Sequence, residues 1–479
     1  MPSLIAAILP HGNRLSGIAG RNSGDGSVEV LAYASRDVSS SMHRGIVRNV
    51  EQVAAAIKEV KQELEKQSRN SIAQVYTAVD GLSLHSVGNT VIREQDEETV
   101  VLQTLVDSIN DENGGVSYEG YEILDVVPQG YVVDNFTTDA AAGNTGRRIE
   151  AHYLNLVARR EMGNNLQESF KRAGVKVVDT CVTPLLQAKA LLTDEEKKKG
   201  CALIEIADHT TTVSVYKKGI LRYLITLPLG YHHVVRDLCT SFRFEEEEAL
   251  KWLKERGDAR YTETEDQEAK SFTSDAGNTI ALAEFNNVVG ARAEEIMANA
   301  WNLISRYSGL ADELNAGVIL AGVGSELAHI DQAFPDQVRS TTFQCRIAGE
   351  LSTKLKGKAA DAVDDNMSAL IGLLLIGEEE CAVTKPKTPK TPIEEPNLPV
   401  EPTGQGPVVN EPIVGTDGQD GSKRTETGTQ VGDKGPKEHR RPKEPKETKG
   451  SGGPTKISII KVIQKKLFED EEYSDVDNK

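Results

Sequence analysis

The 479-residue sequence predicts a mixed α/β protein with two similar lobes that face a cleft. Short apolar runs such as VEVLAYAS and CALIEIADH indicate buried strands, whereas VEQVAAAIKEVKQELEKQ and RAEEIMANAWNLISRY carry apolar residues at helical spacing. In addition, two segments about 195 residues apart share one layout of strand, tight turn, strand, turn and strand. Such a repeat predicts two lobes of the same design, with chance pairs of strands as the alternative explanation.

The two repeats can be followed residue by residue. The first consists of SLIAAIL, the turn PHGN, RLSGIAG, the turn SGDG and VEVLAYAS. The second consists of CALIEI, the turn ADHT, TTVSVY, the turn KKG and ILRYLITLPLG. Because each repeat opens one half of the folded region, each is expected to build the centre of one lobe.

The composition changes sharply near residue 381. Residues 382–454 contain no Phe, Tyr or Trp and hold 12 of the 18 prolines. Such a segment buries too little apolar surface to offset its ordering entropy. We therefore predict a disordered linker that separates whatever lies at its two ends.

An amphipathic helix is predicted after the linker. At 100° per residue, one face carries the apolar side chains and the other carries lysines. The proposed membrane-binding residues are Ile457, Ile459, Ile460, Lys461, Ile463, Lys465, Lys466, Leu467 and Phe468. A helix with no core of its own fits a membrane interface, although docking on the folded body or in a protein groove is the alternative. The acidic tail that follows would be repelled by anionic lipids, so insertion should depend on apolar burial and tolerate salt.

Composition also limits the function. The chain has 55 Lys and Arg against 73 Asp and Glu, and its formal charge of −18 argues against a general nucleic-acid binder. Five cysteines without a CxxC spacing predict a reducing compartment and no zinc site. The apolar run at residues 4–9 lacks a preceding basic region and predicts no signal peptide. The run at residues 369–376 is too short to span a bilayer.

Several segments resemble, in order, the FtsA family of actin-like bacterial division proteins. DVVPQGYVVDN (residues 125–135) and RRIEAHYLNLVARR (147–160) are similar to family motifs, as are the crossing between lobes (173–238) and the helix ARAEEIMANAWNLI (291–304). The resemblance implies an actin-like duplicated fold with an inserted subdomain in the first lobe. It also implies attachment of FtsZ filaments to the membrane.

The resemblance implies these domain boundaries. They are 1–82 and 163–195 for the first-lobe core, and 83–162 for the inserted subdomain that serves self-assembly and division-protein contacts. The second-lobe core is 196–228 and 302–380, and the small subdomain for the FtsZ tail is 229–301. The linker is 381–454, the membrane helix 455–469 and the acidic tail 470–479.

The family binds ATP with magnesium, but both phosphate-binding turns differ here. The first family turn reads roughly D/E-I-G-T-x-K, and Leu9, His11 and Arg14 occupy its acidic, glycine and lysine positions. The second reads D-I-G-G-G-T, and this chain replaces its three glycines with Ala207, Asp208 and His209. A carboxylate near a phosphate is repulsive, so Asp208 disfavours the nucleotide. His209 is the only histidine of its turn, and we expect it to be neither a catalytic base nor a metal ligand.

The remaining nucleotide candidates follow from the same resemblance. They are Gly12, Arg14, Glu205, Thr210, Lys251, Gly322 and Gly324. Two interpretations stay open, namely weak ATP binding without effective hydrolysis and a cleft that holds no nucleotide. We predict no catalytic residue and no metal ligand.

The resemblance implies partners and a location. They are the FtsZ C-terminal tail, a second copy of the chain, membrane lipid and later division proteins, at the cytoplasmic face of the inner membrane at the division site. Arg292 falls where the family has an arginine for the FtsZ tail, although an exposed helix residue paired with Glu294 or Glu295 is equally expected. An actin-fold ATPase or phosphotransferase, or an actin-like assembly protein of another envelope machine, is the alternative function.

Overall fold

A computed structural model describes residues 3–43, 45–260, 270–337, 344–349, 351–363 and 366–383. The predicted linker from residue 384 onward, the amphipathic helix and the acidic tail lie outside the described residues.

The first lobe is built on a six-stranded sheet. Its centre is the antiparallel set predicted by the first repeat, and parallel strands extend it on both sides. In sheet order the strands are β11 (Lys176–Val182), β6 (Gln74–Val79), β1 (Ile5–His11), β2 (Arg14–Asn22), β3 (Val28–Asp37) and β19 (Leu355–Lys356). β1 is buried along almost its whole length, which explains why its sequence is continuously apolar.

Helices cover this sheet. They are α1 (Val50–Ser68), α3 (Arg160–Ala173), α4 (Thr183–Leu191) and α10 (Ser368–Ile376). α1 follows a two-stranded hairpin of β4 (Met42–His43) and β5 (Ile46–Val47). The Asn49 side chain caps α1 by accepting a hydrogen bond from the Gln52 amide at 3.1 Å.

The second lobe repeats the design. β12 (Cys201–Ile206), β13 (Thr211–Lys217) and β14 (Ile220–Leu227) are antiparallel, and β17 (Val318–Ala321) runs parallel to β12 as β6 does to β1. The prediction of two lobes of one design is therefore confirmed.

Other elements complete the second lobe. The remaining helices and strands are α5 (Asp194–Lys199), α6 (Tyr231–Phe242), α7 (Glu246–Arg256), β15 (Ser271–Thr273), β16 (Thr279–Ala281), α8 (Leu282–Asn302), α9 (Ile330–Gln337) and β18 (Cys345–Ile347). A π-helical turn, Leu303–Ser308, continues α8.

The inserted segment forms a layer with its own core. It contains β7 (His85–Val100), α2 (Gln103–Gly114), β8 (Tyr121–Val133), β9 (Phe136–Thr138) and β10 (Thr145–Arg159). Although it interrupts the first lobe in sequence, its strands join the sheet of the second lobe, because β7 pairs with β14. The Ser86 hydroxyl donates to the Leu224 carbonyl at 3.1 Å and accepts from the Leu224 amide at 2.9 Å.

Part of the predicted second-lobe core, residues 302–380, belongs to the first lobe. β19 pairs with β3, and the apolar side chains of α10 are buried in the first-lobe core. β19 and α10, which the resemblance assigns to the second-lobe core, therefore pack in the first lobe. α10 is the apolar run at 369–376, and it is apolar all round because α4, β1 and β2 surround it.

The predicted start of the linker also differs. Cys381 is fully buried, and its amide donates to the Leu4 carbonyl at 2.8 Å. The Val383 amide donates to the Ser71 carbonyl at 2.8 Å. Residues 381–383 thus belong to the first lobe, because these backbone hydrogen bonds attach them to it.

Candidate functional site

Gly12 and Asn13 form the first turn of the candidate site. They join β1 to β2 beyond the paired residues His11 and Arg14. Gly12 has a φ of +57°, a value that favours glycine over residues with a Cβ atom. The tight hairpin that the sequence predicts is therefore present, but it holds only one glycine.

Residues 207–210 form the second turn, between β12 and β13. The Ala207 amide donates to the Thr210 carbonyl at 2.9 Å. None of these four residues has a positive φ among the described backbone angles, so this turn closes without the glycines that the family uses.

The second turn is fixed to the start of α6. The Tyr231 amide donates to the Ala207 carbonyl at 2.9 Å, and the His232 amide donates to the Asp208 carbonyl at 2.8 Å. A Cβ atom on Gly230 would lie 2.6 Å from the Ala207 carbonyl oxygen, so the two backbones touch. The position of Asp208 is consequently set by backbone contacts.

The two turns meet across the cleft. The Asn13 side-chain amide donates to the Asp208 carboxylate at 3.4 Å. An ideal Cβ atom on Gly12 would lie 3.9 Å from the Asp208 Cβ atom. The cavity between the turns measures about 30 Å³, enough for about two water molecules. Its walls are formed by Pro10, His11, Gly12, Gly45, Asp80, Gly81, Ala207, Asp208, His209 and Thr210.

Three imidazoles surround the second turn. The ring centroid of His209 lies 5.9 Å from that of His43 and 4.7 Å from that of His232. Its Nε2 atom lies 3.6 Å from the Asp208 carboxylate, and Nδ1 of His232 lies 3.7 Å from Glu246. His209 is thus not the isolated histidine that its turn suggested. Across the described ranges, no three His, Cys, Asp or Glu side chains have a metal-binding arrangement.

Two carboxyl groups lie behind the turns, one from each lobe. Burial raises the pKa of Glu205 to about 7, although a hydrogen bond from Gln187 at 2.5 Å opposes this shift. Its second oxygen is buried and has no hydrogen-bond partner within the described parts of the chain. Burial, followed by the charge of Glu205, raises the pKa of Asp80 at the end of β6. The two groups therefore disfavour each other's ionised form.

ATP with magnesium does not fit between these turns as they stand. A nucleotide needs glycine backbones that let phosphate oxygens approach the amides. Here Asp208 and His209 line that space in place of two of the glycines. At the position where the family has an acid in the first turn, Leu9 is 1% exposed and packs in the core.

The other predicted nucleotide residues are dispersed. Gly12 and Thr210 line the cavity, but the Arg14 guanidinium donates to the Ser35 hydroxyl at 2.9 Å. Lys251 is ion-paired with Asp275 at 3.4 Å and does not line the cavity.

The adenosine-side glycines lie at the end of β17. A Cβ atom on Gly322 would be 2.6 Å from the Ile206 carbonyl oxygen, and one on Gly324 would be 2.2 Å from the Ile206 side chain. Both glycines are thus explained by close packing on β12.

The sequence reasoning missed Asn13, His43 and Asp80. Asp80 directly follows a buried strand, a position that could have drawn attention to it. Nothing local connects Asn13 or His43 with residues of the second lobe.

Arg292 lies where α8 packs on α6. Its guanidinium donates to the Asp237 carboxylate of α6 at 2.6 Å and is also paired with Glu295. Its side chain is 21% exposed. The hydrogen bond that Arg292 donates to Asp237, the largest cause, raises the pKa of Arg292 further.

Comparisons with known proteins relate this chain to one family. Residues 202–396 match the family model described as "Cell division protein FtsA". The chain is 30% identical over 327 residues to a protein of that name from Porphyromonas gingivalis, covering 65% of this chain and 66% of the relative. It is 32% identical over 205 residues to the Bacillus subtilis protein of that name, covering 42% of this chain and 46% of the relative.

A solved structure titled "PilM-PilN type IV pilus biogenesis complex" has a similar fold. Its TM-score is 0.54 at 15% identity, and the match covers 78% of this chain and 98% of the other. This likeness confirms the actin-like fold and nothing further. The alignments to the two relatives span about two thirds and under half of those proteins.

Proposed function

This chain belongs to the FtsA family of cell division proteins, and on that premise we propose that it tethers FtsZ filaments to the cytoplasmic membrane. The observation that carries the proposal is the similarity to curated relatives over 327 residues in one alignment. The tether is proposed to act at the division site, on the cytoplasmic face of the inner membrane. The tether is proposed to need no ATP hydrolysis, and the loss of the family's three glycines at residues 207–209 supports this.

The FtsZ tail is proposed to dock on the small subdomain around Arg292. This residue joins α8 to α6, and its side chain is partly exposed. Asp237 and Glu295 hold the guanidinium in place through its Nε atom and one terminal nitrogen. An incoming acidic or carbonyl group would bind the remaining N–H groups of the five that an arginine carries.

Membrane attachment is proposed for residues 455–469, which lie outside the described residues. Their apolar face supplies the burial that an interfacial helix needs. In the described ranges, no helix is both long and apolar enough to cross a bilayer.

Self-association and contacts with later division proteins are proposed for the inserted segment. Three apolar side chains of this segment are exposed, namely Phe136 at 79%, Leu102 at 63% and Val100 at 51%. Apolar groups so exposed fit a contact with another protein surface better than contact with water.

The FtsZ contact is tested by titrating the full chain with a synthetic FtsZ C-terminal tail. Arg292→Glu should weaken binding by at least tenfold, because it removes the donor and adds an acid beside Asp237 and Glu295. The measurement is the dissociation constant by fluorescence anisotropy.

Asp237→Ala is the matched control for this titration. It breaks the same ion pair between α6 and α8 but leaves the Arg292 cation in place. Binding should therefore be retained in Asp237→Ala. Unchanged affinity in Arg292→Glu would remove this residue from the docking surface, and equal losses in both variants would indicate a structural effect.

A further inference from the structure

We propose that Asp208 bridges the two lobes as an internal substitute for a bound phosphate, so that the cleft is held together by the chain itself. This inference concerns the cleft and does not depend on the FtsZ or membrane contacts. Asp208 and His209 stand where the family has glycines that approach the phosphates of a nucleotide.

The chemistry of Asp208 supports this role. A carboxylate is an anion that accepts hydrogen bonds, as a phosphate does. Its oxygen accepts from the Asn13 amide of the first lobe at 3.4 Å, and Nε2 of His209 lies 3.6 Å away on the second lobe. The same group would repel a phosphate that entered this space.

The surroundings hold Asp208 in place. Backbone hydrogen bonds from Tyr231 and His232 to Ala207 and Asp208 fix the turn from the side of the second lobe. On the first lobe, the His43 ring lies beside His209, with centroids 5.9 Å apart. His43 lies two residues before Gly45, which lines the cavity. The bridge thus includes side chains from β4, the first turn and the second turn.

The Asp208 bridge determines whether the contact between the turns responds to nucleotide. In a nucleotide-dependent protein of this fold, the ligand joins the lobes, so its loss weakens their contact. Here the joining group is covalently part of the chain. The contact between the turns should therefore not respond to ATP.

The geometry allows a direct test by cross-linking. The ideal Cβ atom of Gly12 lies 3.9 Å from the Cβ atom of Asp208, close to the mean of about 3.8 Å in disulfides. Full-length Gly12→Cys/Asp208→Cys should therefore form an intramolecular disulfide under mild oxidation, which reports the closeness of the two turns. Because this pair lacks the Asp208 carboxylate, the response to nucleotide is measured on the parent chain, where ATP with magnesium should leave the thermal unfolding midpoint unchanged. No disulfide, or a midpoint of the parent chain raised by several degrees by ATP with magnesium, would overturn the proposal.

Control variants test whether the new cross-link involves any of the five native cysteines. Gly12→Cys and Asp208→Cys alone should give no new cross-link by mass spectrometry. Gly12→Cys/Lys218→Cys is the matched pair, because Lys218 lies at the other end of β13 from the turn. A cross-link in that pair at the same rate would show that the reaction does not report proximity.

A double-mutant cycle tests the bridge itself. Asn13→Ala and Asp208→Ala should each lower the thermal unfolding midpoint of the full chain by about 1–3 °C. Because both substitutions remove the same contact, the unfolding midpoint of the double variant should be no lower than that of the less stable single variant. Fully additive losses would contradict a bridge between these two residues.

Discussion

At the scale of single residues, Glu205 has the most unusual environment of the cleft. It is 2% exposed, and one of its oxygens has no hydrogen-bond partner within the described ranges. Burial of an ionised carboxylate without full pairing is unfavourable. The protein therefore holds this group more readily as the neutral acid.

Glu205 makes stability depend on pH in a defined direction. Its pKa is about 7 in the folded protein, above its ordinary value of 4.5, so the folded state binds more protons than the unfolded state between these values. The stabilisation is complete below about pH 4.5 and is lost as pH rises to 7. Asp80 acts in the same direction, because burial and Glu205 also raise its pKa.

Glu205→Gln should reduce this pH dependence, because glutamine stays neutral. Between pH 5 and pH 8, the free energy of unfolding of the variant should improve relative to the parent chain by up to about 3 kcal/mol. Urea denaturation at both pH values measures the difference. Glu97→Gln, on the exposed part of β7, is the control for general charge effects. Parallel pH profiles for the parent and Glu205→Gln would contradict this explanation.

The same scale shows where sequence reasoning succeeded in the cleft. The replacement of three glycines at residues 207–209 predicts a changed phosphate turn, and the turn in the structure closes without a positive φ. Asn13 and His43 could not be predicted as partners of Asp208 and His209. Their contacts join residues about 195 and 166 positions apart, and no local pattern encodes them.

At the scale of elements, the backbones of α10 and α4 approach each other closely in the first lobe. A Cβ atom on Gly372 would lie 2.3 Å from the Leu186 carbonyl oxygen and 2.7 Å from its carbonyl carbon. Both atoms belong to a helix backbone and cannot move independently. The glycine therefore allows the two helix axes to approach closely.

Gly372→Ala should lower the free energy of unfolding by about 2–3 kcal/mol, because the added methyl group forces α10 away from α4. Guanidinium denaturation measures the midpoint. Gly290→Ala in α8 is the matched control, since its nearest contact is at 3.7 Å and alanine favours a helix. Equal midpoints for the two variants would show that the close approach does not limit stability.

A buried network of polar side chains helps to hold the inserted segment together. Asn113 and Asn155 are fully buried, and the Asn113 side-chain amide donates to the Asn155 oxygen at 2.8 Å. Asn155 in turn donates to the Tyr118 hydroxyl at 3.0 Å. This polar network satisfies groups that would otherwise be costly to bury and fixes α2 on the sheet.

At the scale of the whole molecule, the sequence predicted the repeated lobes because each three-stranded unit is local and strongly patterned. It did not predict that β19 and α10 return to the first lobe. β19 pairs with β3 more than 300 residues away, and α10 packs on β1 and β2 at a similar separation and on α4 about 185 residues away. It also missed that β7 extends the second-lobe sheet.

The whole chain is proposed to act as a tether whose parts have separate tasks. The folded body would bind FtsZ through the small subdomain, and the terminal segment would bind lipid. Because the Asp208 bridge is part of the chain, this activity should not require ATP. The two ends of the tether can therefore be tested together.

The most direct test is co-sedimentation of FtsZ with liposomes, using the full chain and a version that ends at Pro454, each with and without ATP and magnesium. We predict that FtsZ pellets only with the full chain and equally well in both nucleotide conditions. FtsZ that remains in the supernatant with the full chain would contradict the tether. Pelleting that requires ATP would contradict the nucleotide-independent cleft.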